Sequence, residues 1–252
     1  MSAPDPWPEG VAKRGLRSVD STNAEGARLA PTLSSPTWIL AAAQTAGRGR
    51  RARAWISPPG NFHATLVMKP VEGMEIIALR SFAASLALRE ACVTVTNTPY
   101  AFTLKWPNDV LLNGGKLAGI LLESSGSGKS ASHLCIGIGV NLIAAPHASE
   151  VDPGATPPVC LLAQTGHRIT PEAFLNHLAP AFARWEHQLT TEGFAPLRAE
   201  WLAHAARLGE TITARTGTTS HFGRFETIDD HGALILHTAT GRMAIPAADV
   251  FF

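Results

Sequence analysis

Charge of either sign is scarce in this sequence. Only 16 % of its 252 residues are Asp, Glu, Lys or Arg, and 21 basic residues face 20 acidic ones for a net charge of +1. A dedicated nucleic-acid binder draws its affinity from many phosphate contacts and carries a basic excess. This chain has none overall. Cys92, Cys135 and Cys160 are the only cysteines, an odd number without C-x-x-C spacing. Each lies in or beside an apolar run, so they read as buried packing residues. The ten histidines show no metal-ligand spacing. No apolar segment follows a positively charged start and no long apolar run occurs, so neither a leader nor a membrane span is expected, and the default location is cytoplasmic. No G-x-S-x-G is present, so a serine nucleophile has no support. The stretch S-G-S-G-K-S, Ser125 to Ser130, has Glu123 where a phosphate-binding loop needs its first glycine, and it reads as a hairpin loop.

Apolar residues make up 45 % of the chain, enough to bury a sizeable core. The proline-rich stretch from residue 1 to 15 reads as a flexible tail. Residues 16–205 then form the main unit. A short strand leads to a helix capped at Asp20 or Ser21, and T-W-I-L-A-A-A-Q and N-F-H-A-T-L-V-M-K-P read as strands. Ile76, Leu79, Ala83 and Leu86 stand at helical spacing. Three strand segments follow in quick succession, one of them a hairpin with Gly114-Gly115 at its turn, and connections this short make them antiparallel. Residues 146–160 are a proline-rich loop. Thr170-Pro171 opens a helix in which Pro180 predicts a kink, and a further helix ends near Leu208-Gly209. From residue 206 to 252 apolar and polar residues alternate between closely spaced turns, the pattern of a small barrel that leans on the main unit.

Three features could carry chemistry. Thr45 to Trp55, T-A-G-R-G-R-R-A-R-A-W, holds four arginines and two glycines, a mobile and basic loop that must meet an anion. In H-L-C-I-G-I-G-V-N-L, alternation puts Cys135, Gly137, Gly139 and Asn141 on one face and Leu134, Ile136, Ile138 and Val140 on the other. Together with Gly119 on the neighbouring strand, this strips one face of side chains. Either something flat lies against that backbone, or the glycines mark a bulge or tight sheet packing. Lys105 and Lys116 stand at strand ends beside the bare surface, where they are either solvated charges or part of a cationic cage.

These segments together resemble biotin–protein ligases: the arginine loop with A-A-A-Q before it, K-W-P-N-D-V-L-L-N-G-G-K-L-A-G-I-L-L-E, I-G-I-G-V-N-L, and S-T-N at Ser21 to Asn23. The resemblance implies an α+β fold. It consists of a mixed sheet with flanking helices, as in class II aminoacyl-tRNA synthetases and lipoate ligases, followed by an SH3-like β-barrel. It implies that biotin and ATP, with Mg²⁺, give biotinyl-5′-AMP, whose acyl group passes to a lysine of a biotin carboxyl carrier domain, such as that of acetyl-CoA carboxylase. By position, Ser21, Thr22, Asn23 and Gln44 fall at the biotin head, with the backbone of Gly119, Ile120 and Gly137 lining its slot. Arg48, Gly49, Arg50 and Lys116 meet the carboxylate and adenylate. Gly47, Arg53, Trp55, Lys105, Asn108 and Asn141 lie on the nucleotide side, and Asp109 orients the incoming amine or a magnesium ion.

Two departures stand out. Ala52 occupies a place where the family pattern has glycine, and is strained if that site needs positive φ. The stretch before Ser21 is too short for the DNA-binding helix-turn-helix of some relatives, so no DNA partner is expected. Lys116 and Gly119 have opposite strand parity, and both reach one ligand only through a bulge or a backbone contact. The alternatives are a lipoate or octanoate ligase, an arginine-loop nucleic-acid binder, and a protein that binds biotin without activating it. Whether a homodimer forms is left open.

Overall fold

The computed structural model describes residues 5–127, 130–152 and 154–252. Gly128 and Lys129 of the Ser125–Ser130 stretch lie outside them. The main sheet collects β1 (Ala12–Leu16), β2 (Thr37–Ala41), β3 (Phe62–Met68), β4 (Phe102–Lys105), β5 (Asp109–Leu112), β6 (Gly115–Ser127) and β7 (Ser130–Val140). Their order is β1-β2-β3-β7-β6-β5-β4. Only β1 and β2 are parallel, and α1 (Thr22–Leu29) lies between them in the chain. The remaining pairs are antiparallel, and for β4–β5, β5–β6 and β6–β7 the short connections require it. This is the mixed sheet expected from the sequence.

Helices α2 (Met74–Thr96), α4 (Pro171–Glu192) and α5 (Phe194–Ala203) pack together on one side of the sheet, with α2 and α4 against the strands, while the short α3 (Leu161–Thr165) follows the proline-rich loop. Leu134, Ile136, Ile138 and Val140 face the packed helices and are buried. Phe174 of α4 meets Phe62 of β3 edge to face at 5.2 Å, and Phe82 of α2 meets Trp201 of α5 at 5.4 Å. Arg80, buried in α2, ties that helix to Glu186 of α4 at 2.7 Å. On the opposite side α1 covers only part of the sheet, and the uncovered remainder is where the cavity lies.

Five antiparallel strands complete the chain: β8 (Thr211–Thr216), β9 (Thr219–Ile228), β10 (Leu234–Thr238), β11 (Gly241–Ile245) and β12 (Asp249–Phe251). Their apolar side chains, among them Ile212, Phe225, Leu236 and Val250, belong to the same continuous core as the main sheet. The Trp106 indole donates to the carbonyl of Gly232 at 3.0 Å, fixing the small sheet against the turn after β4. Among the described residues no helix is long and apolar enough to cross a membrane.

The structure corrects several local expectations. β1 begins at Ala12, inside the stretch expected to be a tail, because its main chain pairs with β2. The hairpin turn is Asn113-Gly114, with φ of 50° and 82°, and Gly115 is already paired with Leu112. Two residues at positive φ are what a tight type I′ turn demands, and Asn-Gly supplies them better than Gly-Gly shifted by one. Helix α5 ends at Ala203 rather than near Leu208, and α4 extends on both sides of Pro180, where the sequence expects a kink.

Candidate active site

A cavity of about 740 Å³ opens on the sheet face that α1 leaves uncovered. That volume is typical of a small-molecule site. Strand register builds its floor in rows. Gly139, Gly119 and Asp109 line it in one row across β7, β6 and β5, which His63 of β3 continues; Gly137 and Leu121 line it in the next, beside Thr65; the third row, Val67, Cys135 and Glu123, lies outside the lining. The bare glycines therefore lie side by side, as alternation in the sequence indicated.

What lies on them is protein. A Cβ added at Gly139 would come within 2.5 Å of the Trp55 indole, and one at Gly119 within 3.3 Å of it. A Cβ at Gly137 would strike the Asn23 amide at 2.3 Å. The flat group expected against this backbone is the indole of Trp55, brought there by the arginine loop, whose main chain is pinned by Trp55 N–H donating to Gly47 O at 2.9 Å. Gly47 does not line the cavity; a side chain there would collide with the Trp55 carbonyl and with Gln44.

One end of the cavity is a neutral hydrogen-bonded cluster. Ser21 sits extended at the start of α1, its hydroxyl not used as a helix cap, and so faces the cavity free of that duty. The backbone N–H and hydroxyl of Thr22 both donate to Gln44 Oε1, at 2.8 and 3.1 Å, and Gln44 Nε2 donates to Ser57 at 2.9 Å. Thr65 Oγ1 stands 2.6 Å from Asn23 Oδ1 and 2.8 Å from Thr22 Oγ1, and its single proton serves one of them at a time. Asn23 Nδ2 donates to Glu123 at 2.7 Å. Thr22, Asn23 and Thr65 are buried, so every lost partner here leaves an unpaired polar group.

The other end is ionic. Arg48 donates to Glu123 at 3.0 and 3.2 Å, which places it at the junction of the two ends. Lys116 Nζ lies 2.8 Å from Asp109 Oδ1, yet the angle falls outside hydrogen-bond alignment, and this buried oxygen has no aligned donor. The parity conflict between Lys116 and Gly119 is resolved by a bulge: the β5–β6 register shifts between Val110 and Leu111, leaving Leu117 as the extra residue. Leu117 turns into the core while Lys116 stays over the cavity. Arg50 is held by the carbonyl of Ala248 at 3.1 Å and by Asn108 Oδ1 at 3.5 Å. Burial draws its pKa below the usual value, opposed first by Asp249. Arg53 bridges Asp152 at 2.7 Å and Asp249 at 2.8 Å. Lys105, also buried, donates to Thr156 at 2.7 Å, and burial lowers its pKa against the pull of Asp109.

Three expected residues are occupied in ways the sequence did not show. Ile120 sends its side chain into the core and reaches the cavity by its backbone alone, where Asn108 Nδ2 donates to its carbonyl at 2.6 Å. Asn141 spends its amide nitrogen on Val159 O at 3.1 Å, fastening the proline-rich loop over the bulge. Gly49 closes the arginine loop through its N–H, which donates to Arg53 O at 2.8 Å. Ser57, Thr65, Glu123, Asp152 and Asp249 take part in the site without having been assigned to it from the sequence. Strand parity with Gly137 and Cys135 could have found Thr65 and Glu123; nothing local marks Asp249.

The model of the biotin/lipoate A/B protein ligase family matches residues 15–141, and that of the biotin protein ligase C-terminal domain matches residues 208–252. The chain belongs to the biotin/lipoate A/B protein ligase family. A biotin–[acetyl-CoA-carboxylase] ligase of Paracoccus denitrificans is 59 % identical over 94 % of this chain and 99 % of its own length. A bifunctional ligase/repressor of Bacillus subtilis is 32 % identical over 85 % of this chain and 65 % of its own. Among solved structures, the biotin protein ligase of Aquifex aeolicus in complex with biotin and ATP superposes with a TM-score of 0.80 at 24 % identity, covering 95 % of this chain and 97 % of that one. The last likeness bears on the fold, and it is the fold of this family that the mixed sheet and the five-stranded C-terminal sheet display.

Proposed function

We propose that this family member is an ATP-dependent biotin–protein ligase that makes biotinyl-5′-AMP and passes biotin to a lysine of the biotin carboxyl carrier domain of a carboxylase, acetyl-CoA carboxylase being the one named for the Paracoccus relative. The observation that supports this most is the polarity of the cavity: a neutral hydrogen-bonded end and a cationic end meet at Arg48 and Lys116.

In this reading Ser21, Thr22, Asn23 and Gln44 receive the ring head of biotin, and Gly137, whose missing side chain admits Asn23, lines its slot. The biotin carboxylate then arrives at Arg48 and Lys116. It attacks the α-phosphorus of ATP; the P–O bond to pyrophosphate breaks and pyrophosphate leaves. Two anions repel as they approach, so the step needs cations fixed in place, and removing one such donor typically costs about 2–4 kcal/mol in the transition state. Lys116 and Arg48 must exchange Asp109 and Glu123 for the ligand. Arg50, Arg53, Lys105 and Asn108 hold the nucleotide, Asn141 frames its side, and the exposed face of Trp55 offers a stacking surface for adenine. In the second step the carrier amine attacks the acyl carbon, AMP departs, and the amine gives up a proton; Asp109 is the carboxylate nearest to orient that amine. No residue forms a covalent intermediate. The arginine loop shuts water away from the mixed anhydride between the steps.

A magnesium ion fits this donor set. No group of three metal-ligating side chains is found among the described residues, but Mg²⁺ on a nucleotide is normally held by phosphates and one or two carboxylates. Asp109, with its unaligned buried oxygen, is the carboxylate that would hold it, and it would offset phosphate charge there. The division into a ligand-binding unit up to about residue 205 and a small C-terminal unit, and a cytoplasmic location, belong to the same reading.

Biotin-dependent exchange of pyrophosphate into ATP tests the proposal directly. Purified protein with magnesium and biotin should support exchange, and lipoate or octanoate should not replace biotin. Tight biotin binding without exchange would instead mark a protein that holds biotin and does not activate it.

A further inference from the structure

Asp249 comes from the far end of the chain, yet it meets the arginine loop almost 200 residues away. It opens β12 opposite Arg215 of β8, and its side chain is 10 % exposed. Its Oδ2 lies 2.8 Å from Arg53 and 3.2 Å from Arg51, and its Oδ1 lies 4.0 Å from Arg50. The preceding carbonyl, Ala248, takes a hydrogen bond from Arg50 at 3.1 Å. One short segment of the small sheet thus gathers three guanidiniums from four consecutive positions. Left alone, those charges repel. The loop backbone is unfavourable as well, with Arg51 at φ 56° and Ala52 at φ 57°. Non-glycine residues persist in that region only where their surroundings fix them. The small sheet supplies that constraint, with a minor share from Asp152 on Arg53.

We propose that Asp249 is a positioning residue for the ligation: its carboxylate holds the arginine loop folded over the cavity before nucleotide arrives, and so couples the C-terminal sheet to nucleotide binding. Three guanidiniums against the two carboxylates of Asp249 and Asp152 leave the cavity mouth net positive, so the restraint does not neutralise the attraction for phosphate. A loop already in place loses less conformational entropy when the ligand binds, which appears as affinity. Asp249 touches no reacting atom. The inference rests on the ligase reading for its kinetic arm only.

The test uses the full chain with Asp249→Asn, which keeps shape and removes charge, and Asp249→Glu as the conservative rescue. Limited trypsin digestion without ligand, with cuts mapped after residues 48–53 by mass spectrometry, should run about ten-fold faster in Asp249→Asn and near the parent rate in Asp249→Glu. Biotin plus ATP should restore protection in both. In pyrophosphate exchange, the KM for ATP should rise about ten-fold in Asp249→Asn with kcat within two-fold. If Asp249→Asn lowers the melting temperature by more than a few degrees, both measurements are made at a temperature well below its transition, where circular dichroism shows the variant folded. Unchanged loop cleavage, or a fall in kcat at unchanged KM, overturns the proposal. The digestion arm requires no turnover, so its outcome is independent of whether the chain activates biotin.

Discussion

The two ends of the cavity are organised by opposite means. At the Thr22–Gln44 end, backbone and side-chain groups of α1, β3 and the start of the arginine loop are joined in short neutral hydrogen bonds, and the buried residues there have little freedom. At the Lys116–Arg53 end, three cations rest on carboxylates, Arg48 on Glu123, Lys116 on Asp109 and Arg53 on Asp152 and Asp249, while Lys105 donates to Thr156. Neutral groups can be buried permanently because their partners satisfy them. Charges facing an open cavity need a resident counter-charge until the ligand supplies one. The first end is built to recognise and the second to exchange partners, which is what a reaction that brings two anions together requires.

The contrast predicts which kinetic constant each end controls. Lys116→Met should have the largest effect. It removes a cation whose worth appears in the transition state, so pyrophosphate exchange should fall by about 10²–10³ in kcat with biotin affinity little changed. A raised biotin Kd at normal kcat would place Lys116 with the recognition end and break the distinction. Thr65→Val should follow. It leaves Asn23 Oδ1 without its buried partner while Thr22 keeps Gln44, a cost of about 1–3 kcal/mol, and titration calorimetry should show biotin binding weakened roughly ten-fold or more at nearly constant kcat. The smallest effect belongs to Ala52→Gly. Glycine relieves the positive-φ strain, worth about 1–2 kcal/mol, but also frees the open loop by about 0.4–1 kcal/mol. With mid-range values for both, the KM for ATP should fall by about four-fold. A rise would mean that the extra freedom of the open loop outweighs the strain.

Much of this arrangement is legible in the sequence. Glycines 119, 137 and 139 fall on one face by parity alone, and the structure puts them side by side in the cavity floor. The conflicting parity of Lys116 leaves a bulge or a backbone contact, and the register shift at Leu111 provides the bulge. Ala52 stands at positive φ, the condition under which its replacement of glycine brings strain. Harder to read were the partners. Trp55 was expected on adenine, but its own contact with Gly139 shows that one face of the indole is already used. Asn141 is expected on the nucleotide side and spends its amide nitrogen on Val159 O.

Sequence alone determined the strands, the hairpins, the face on which the site would lie and the concentration of positive charge, because each depends on periods of two or three to four residues and on turn chemistry within a few positions. Tertiary structure decided which carboxylate each cation rests on, that Trp55 covers the glycines, and that Asp249 restrains a loop about 200 residues upstream. Those pairings follow from sheet register and from how the small sheet docks on the shared core, and both are set by contacts between distant segments. No local pattern in the chain encodes them.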